Sequence, residues 1–147
     1  MRYWDTSAIL PLAVQETGTD LARSWYAEDP QMITWGLTRV EIYSAMERRL
    51  REGRVARRER DAAGALLNEL ATHWSEIVDM MPVRSRAMLL LGRHALKAAD
   101  ACQLAAALWA AEGDPPSITF VCLDRALAAV ARREGFHVLT WPKYEDV

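Results

Sequence analysis

Four acidic residues stand where an extended run or a loop gives way to a predicted helix: Asp5, Glu41, Asp100 and Asp124. Asp5 ends a short apolar run and Asp124 closes the apolar run 118–123, so both are expected at the ends of strands. Carboxylates that lie close together repel unless a divalent cation neutralises them, and oxygen ligands suit Mg²⁺ or Mn²⁺. We therefore predict that the four acids converge on a metal site.

Taken singly, three of these acids are better explained as helix caps. Aspartate is favoured at the N-cap position, which suits Asp5 and Asp124, while Thr38 and Glu41 have the spacing of a capping box. Asp100 is harder to explain as a cap, because it lies in an alanine-rich helix whose composition predicts burial. A buried carboxylate must be paired or bind a metal. The metal hypothesis therefore depends on all four acids meeting.

The elements that would position these acids alternate along the chain. Helices are predicted over 7–15, 18–28, 38–53, 62–74, 83–96, 98–111 and 125–134, and strands just before Asp5 and over 31–35, 77–82, 118–123 and 138–141. This pattern indicates an α/β domain with a parallel sheet of about five strands covered on both faces. In such sheets a ligand site forms beyond the carboxyl ends of the strands, at a topological switch point.

Length, charge and hydropathy limit the class of protein. A chain of 147 residues with a formal charge of −2 is most simply one domain, 1–147, without a general attraction to nucleic acid. Its longest uncharged apolar stretch, 101–111, is far below the roughly 20 residues of a membrane span. No secretory signal is evident at the start, so a cytoplasmic protein is expected. Cys102 and Cys122 lie in apolar patterns and are expected to be buried and reduced.

Residues 48–60 form a basic cluster with seven arginines and two acids. The simpler interpretation is a solvated helical hairpin tip with a corner at Gly53. The alternative is a surface that contacts RNA phosphates or a partner, and arginine rather than lysine favours phosphate. Arg54, Arg57 and Arg58 are the candidates for RNA contact.

The chain resembles the PIN-domain ribonucleases and, within them, the VapC-type toxins of bacterial toxin-antitoxin pairs. The resemblance covers the whole chain and lies in four segments, taken in order: Tyr3-Trp4-Asp5-Thr6-Ser7-Ala8, Arg39-Val40-Glu41-Ile42, Leu96-Lys97-Ala98-Ala99-Asp100-Ala101 and Phe120-Val121-Cys122-Leu123-Asp124. Gln103 stands where the family often has His, and Cys122 where it often has Ser or Thr.

The resemblance implies a three-layer α/β/α sandwich whose acidic site consists of Asp5, Glu41, Asp100 and Asp124, with Thr6 beside it. It also implies metal-dependent cleavage of RNA, a homodimer, and inhibition by a small antitoxin protein. In the expected mechanism Asp5 and Asp100 hold the principal Mg²⁺ or Mn²⁺, and Glu41 and Asp124 complete its shell or hold a second ion. A metal-activated water then attacks the phosphodiester.

Two other functions stay open at the level of sequence. One is a catalytically idle PIN-like module that dimerises and binds a partner, which the intact set of acids argues against. The other is a Mg²⁺-dependent phosphatase with a phosphorylated Asp5, although Ser7 stands where such enzymes commonly have a second aspartate.

Overall fold

The computed structural model describes residues 1–144, which form five β-strands and seven α-helices. In chain order the elements are β1 (Arg2–Trp4), α1 (Thr6–Ala13), α2 (Thr19–Glu28), β2 (Met32–Trp35), α3 (Thr38–Arg51), α4 (Arg57–Ala71), β3 (Ser75–Ile77), α5 (Met80–Arg93), α6 (Ala98–Ala110), β4 (Thr119–Val121), α7 (Arg125–Arg133) and β5 (His137–Leu139). Single 3₁₀ turns occupy Pro115–Ser117 and Pro142–Tyr144. No helix within the described range is long and apolar enough to cross a membrane.

The five strands form one parallel sheet in the order β3-β2-β1-β4-β5, with β1 at its centre. The chain adds β2 and β3 on one side of β1 and then crosses to add β4 and β5 on the other side. The strand order therefore reverses between β1 and β4. That reversal is the topological switch point at which open α/β sheets bind ligands.

Helices cover both faces of the sheet because successive strand residues point to opposite sides. Tyr3 enters the core that lies under α5, α6 and α7, where its ring stacks on Phe120 at a centroid distance of 5.4 Å. Trp4 enters the second core, under α1 to α4, together with Met32 and Val121. This arrangement confirms the predicted three-layer α/β/α sandwich.

The third strand does not lie where the sequence predicts it. The apolar residues of 77–82 indicate a strand, but β3 is Ser75–Ile77 and α5 already begins at Met80. Val78, Met80 and Met81 are exposed rather than inserted into the sheet. Their apolar character reflects an exposed surface of α5, which alternation alone cannot distinguish from a buried strand.

The helix that continues over 62–74 begins at Arg57, after the predicted corner at Gly53. The carboxylate of Glu59 accepts a hydrogen bond from the backbone N–H of Ala56 at 3.1 Å, which closes the first turn of this helix. The corner at Gly53 is confirmed by its φ of 71°. The ends of the other elements differ from prediction by at most three residues.

The two cysteines differ from each other. Cys122 is fully buried as predicted, and both thiols are free. Cys102 is only half-buried, because it lies on the side of α6 that faces the groove beside α5.

Candidate active site

The four predicted acids come from four different elements at the same edge of the sheet. Asp5 directly follows β1 and Asp124 follows β4 by three residues. Glu41 lies in the first turn of α3, which follows β2, and Asp100 lies in the first turn of α6. The electrostatic interactions described below couple Asp5 to each of the other three acids at this edge of the sheet.

Asp5 is the most deeply placed of the acids, with 4% of its surface exposed. Its Oδ2 accepts hydrogen bonds from the backbone N–H of Ser7 at 3.1 Å and from the Ser7 hydroxyl at 2.5 Å. The pKa of Asp5 is raised from 3.8 to about 6, chiefly by burial. The charges of Asp100 and Asp124 contribute to this rise, and the hydrogen bonds from Ser7 oppose it. Asp5 therefore caps α1 and is also coupled to two of the other acids.

Glu41 does not form the predicted capping box. The N-cap residue of α3 is Leu37, whose side chain forms no capping hydrogen bond. The hydroxyl of Thr38 points inward, and its Oγ1 lies 2.7 Å from Oγ1 of Thr34. The Oε2 of Glu41 instead accepts a hydrogen bond from Nε2 of Gln103 at 2.6 Å. The capping-box prediction was wrong because tertiary partners compete for both side chains.

The electrostatic environment of Glu41 resembles that of Asp5. Burial raises the pKa of Glu41 to about 7. The hydrogen bond from Gln103 and a weaker one from Thr6 oppose the shift, and the charges of Asp5 and Asp100 add to it.

Asp100 and Asp124 lie nearer the surface. The start of α6 is exposed at Ala98 and Ala99, which corrects the expectation of a buried helix start, and Asp100 itself is half-buried. Burial and the charge of Asp124 raise the pKa of Asp100, while Lys97 lowers it. Asp124 caps α7 as predicted, because its Oδ1 accepts from the backbone N–H of Leu127 at 2.9 Å.

Asp5 thus repels each of the other three carboxylates, and Asp100 also repels Glu41 and Asp124. The ion pairs formed between residues 1–144 involve none of the four. A set of carboxylate oxygens of this kind suits a hard divalent cation. Over the same range, no three His, Cys, Asp or Glu side chains are arranged to hold an ion as they stand.

The side chains that support the acids were only partly predicted. Thr6 was expected beside the site, and its Oγ1 accepts a hydrogen bond from Nε2 of Gln103 at 3.1 Å. The Thr6 side chain also lowers the pKa of Glu41 by hydrogen bonding to it. Ser7 was missed as a partner of Asp5, although Asp-x-Ser at a helix start is the spacing at which the serine contacts the cap. Gln103 was singled out in the sequence because the family often has His there, but its contact with Glu41 was not predicted.

Cys122 borders the same site from β4. Its Sγ is 3.6 Å from Oδ2 of Asp5 and 3.6 Å from Oγ of Ser7. Burial and the charge of Asp5 raise the pKa of this thiol well above its usual range. Cys122 therefore stays protonated and can act as a weak donor to Asp5.

The arginine cluster lies away from the acids. Glu41 is at the start of α3 and Gly53 just beyond its end, so the helix separates them by about 20 Å. Within the cluster, Arg49 pairs with Glu16 at 2.8 Å and Arg60 with Glu47 at 2.5 Å. Arg54, Arg57 and Arg58 are exposed. A cleft of about 320 Å³ is lined by Ser7, the partner of Asp5, by Leu123, and by Arg49 of the cluster.

Comparison with known proteins places this architecture in a family. The model of the PIN domain family matches residues 2–120, which is most of the chain, and the chain therefore belongs to that family. The matched range contains Asp5, Glu41 and Asp100 and ends before Asp124. PIN domains are generally nucleases, and those nucleases typically use divalent metals.

A solved structure supports the fold. The crystal structure of PAE2754 from Pyrobaculum aerophilum is similar to this chain with a TM-score of 0.63 and 21% sequence identity. The alignment covers 95% of this chain and 89% of that one. At this identity the similarity shows the fold alone. No curated protein sequence matches the chain.

Proposed function

We propose that this PIN domain is a Mg²⁺- or Mn²⁺-dependent endoribonuclease that acts as the toxin of a VapC-type toxin-antitoxin pair. The observation that carries the nuclease part is the electrostatic coupling of Asp5, Glu41, Asp100 and Asp124 at the switch point, where none of the four forms an ion pair within residues 1–144. A structural role would favour pairing these charges, whereas a cation site requires that they stay unpaired.

The four acids have different roles in this proposal. Asp5 and Asp100 hold the principal cation, and Glu41 and Asp124 complete its shell through water or hold a second ion. When bound, the cation supplies a water of lowered pKa and neutralises charge on the phosphodiester. Ser7 keeps the Asp5 carboxylate oriented toward the site through its two hydrogen bonds.

RNA is the proposed substrate, and its path follows from the surface beside the acids. The cleft lined by Ser7 and Leu123 is also lined by Arg49, which belongs to the arginine cluster. A single strand cut at the acids can extend along this cleft, so that its phosphates reach Arg54, Arg57 and Arg58. These contacts would be electrostatic and independent of sequence.

A homodimer is the proposed assembly, with an antitoxin as the further partner. A groove of about 190 Å³ between α5 and the starts of α3 and α6 is lined by Leu37, Met80, Met88 and Leu91. Met88 is 67% exposed and Met80 49% exposed, although both are large and apolar. Exposed apolar patches of this kind mark association sites. Because Arg84 is the one charged residue among the described residues that line the groove, a second copy of the same apolar face fits it better than RNA does.

The decisive experiment measures cleavage of a fluorescently labelled single-stranded RNA by the purified chain. Cleavage is expected with Mg²⁺ or Mn²⁺, is expected to stop with EDTA, and should be absent from a DNA strand of the same sequence. Acid quenching with labelled phosphate substrates separates the phosphatase alternative, which would leave phosphate on Asp5. An intact RNA under all metal conditions, with normal folding, would overturn the nuclease proposal.

A further inference from the structure

Gln103 is the centre of a buried hydrogen-bond network that joins the two helical layers. It belongs to α6 on one side of the sheet and has no exposed surface. Its Nε2 lies 2.6 Å from Oε2 of Glu41 and 2.9 Å from the hydroxyl of Thr38, both on α3 of the other layer. Its Oε1 accepts from the hydroxyl of Tyr3, on the central strand, at 2.7 Å.

The positions of the hydrogens in this network follow from its ends. Thr34 donates to the backbone carbonyl of Trp4 at 2.8 Å, so the hydrogen between Thr34 and Thr38 must come from Thr38. The Thr38 oxygen can then accept one N–H of Gln103 at 2.9 Å. The other N–H points to Glu41, whose Oε2 at 2.6 Å is nearer than the Thr6 hydroxyl at 3.1 Å. With the amide reversed, its oxygen would face the Glu41 carboxylate and two acceptors would repel.

The hydroxyl of Tyr3 holds the amide in this orientation. A tyrosine hydroxyl carries its proton at neutral pH and an amide oxygen can only accept, so the hydroxyl donates to Oε1 over the observed 2.7 Å. The Tyr3 ring is itself fixed by stacking on Phe120. Hydrogen bonds and ring stacking therefore connect the carboxylate of Glu41, through Gln103 and Tyr3, to the central strands.

We propose that Gln103 is a positioning residue that holds the Glu41 carboxylate toward the cation site, and that Tyr3 determines which end of the Gln103 amide faces that carboxylate. This inference rests on the proposed metal-dependent nuclease function and assigns a role within that site. Hydrogen-bonded partners of ligating carboxylates affect metal affinity because they fix the orientation of the ligand, and their loss typically costs about 10- to 100-fold.

The test is a double-mutant cycle on Mn²⁺ affinity, measured by electron paramagnetic resonance on the chain without RNA. Gln103→Met should weaken Mn²⁺ binding by about tenfold or more in the wild-type background. In a Glu41→Gln background the same change should have little further effect, because Gln103 acts through Glu41. Single-turnover RNA cleavage should follow the same pattern.

Two further variants keep the test informative if Gln103→Met folds poorly. Tyr3→Phe leaves Gln103 in place and removes only the hydroxyl that orients it, so it should show a smaller loss with the same dependence on Glu41. Thr19→Val is the structural control. Its hydroxyl is equally buried and donates to the carbonyl of Pro11 at 2.7 Å, where α1 meets α2, so Mn²⁺ affinity should be unchanged even if the melting temperature falls.

The outcomes separate this inference from the proposed function. Equal losses of Mn²⁺ affinity in the wild-type and Glu41→Gln backgrounds, for both Gln103→Met and Tyr3→Phe, would overturn the positioning role while leaving the nuclease intact. A folded wild-type chain that neither binds Mn²⁺ nor cleaves RNA would overturn the proposed function and the positioning role together.

Discussion

The backbone N–H of Asp5 donates to the carbonyl oxygen of Val121 at 3.0 Å, which extends the ladder between β1 and β4 by one residue beyond β1. This bond fixes Asp5 to the last residue of β4, three residues before Asp124. The backbone of Asp5 therefore cannot shift without breaking the central ladder, and the hydrogen bonds from Ser7 hold the carboxylate itself. Asp5 thus stays close enough to Asp100 and Asp124 to be repelled by both.

Substitutions that keep helix capping but remove charge separate a structural role from a metal role. Asp5→Asn, Asp100→Asn, Asp124→Asn and Glu41→Gln should each reduce metal-dependent RNA cleavage, with Asp5→Asn and Asp100→Asn worst. For these two variants the cleavage rate is expected to fall by more than about 100-fold. Even the loss of a residue that only hydrogen-bonds to a metal ligand typically lowers activity by about 10- to 100-fold. Asn caps helices as well as Asp, so circular dichroism should show an unchanged fold. Full activity in Asp100→Asn would argue against a metal site.

Divalent cations should stabilise the folded chain. A ligand that binds only the folded state at 100 times its Kd adds about 2.7 kcal/mol to the free energy of unfolding. Differential scanning fluorimetry should therefore show a higher melting temperature with Mg²⁺ or Mn²⁺, and Asp100→Asn should lose most of this rise. In EDTA the same variant should melt at or above the wild-type temperature, because one repelling charge is gone. A normal metal-induced rise in Asp100→Asn would contradict the assignment of this residue.

The metal-free protein should lose stability as the pH rises from 4 to 8. Folding raises the pKa of Asp5 from 3.8 to about 6 and that of Glu41 from 4.5 to about 7, chiefly through burial. The folded chain therefore binds protons more tightly than the unfolded chain, and this contribution is present below the unfolded pKa values and lost through the folded ones. For Asp5 this shift changes the free energy of unfolding by about 3 kcal/mol over the full pH range.

Urea unfolding in EDTA at pH 5 and pH 8 measures this dependence. The free energy of unfolding should be lower at pH 8, and an Asp5→Asn/Glu41→Gln double variant should show a smaller difference between the two pH values. Added Mn²⁺ should reverse the trend, because protons compete with the cation for the same oxygens. A wild-type free energy that rises with pH in EDTA would contradict the assigned direction of both pKa shifts.

The arginine cluster should contribute to RNA affinity through phosphate contacts. Replacing Arg54, Arg57 and Arg58 with Ala should weaken binding and reduce the slope of log affinity against log salt by about 0.7 for each lost contact with a single strand. Fluorescence anisotropy over a range of NaCl concentrations measures both quantities. The control is Arg84→Ala/Arg86→Ala, which removes exposed arginines from α5 in the opposite layer. An unchanged slope in the triple variant would indicate that the cluster is solvated or contacts a protein.

The apolar groove beside α5 should mediate self-association. Met88→Glu places a charge in the groove and should convert a dimer into a monomer, as measured by light scattering at high micromolar concentration. Leu66→Glu on α4 is the control, since Leu66 is 42% exposed but lies in the other helical layer. A wild-type chain that is strictly monomeric would exclude the homodimer, and a complex with a co-expressed small protein that Met88→Glu abolishes would assign the groove to the antitoxin instead.

Several features of the fold are determined by local sequence. The apolar run 118–123 before Asp124 and the short run before Asp5 predict two strands that end in acids, and alternation with helices predicts a parallel sheet. The local caps at Asp5 and Asp124 also follow from residue type alone. The prediction that 1–147 forms one domain extends over residues 145–147, which lie outside the described part of the chain, and it stays a prediction.

Only the tertiary structure decides what the inner polar residues do. Thr38 and Glu41 have the sequence of a capping box, yet both turn toward Gln103, which lies more than sixty positions away along the chain. Likewise Met80 and Met81 have the apolar character of a strand but lie on the surface of a helix. Residue type and spacing fix which local structures are possible, because they set backbone propensity and periodicity. The choice among those structures depends on hydrogen-bond partners and packing contacts that distant segments supply only after the sheet has formed.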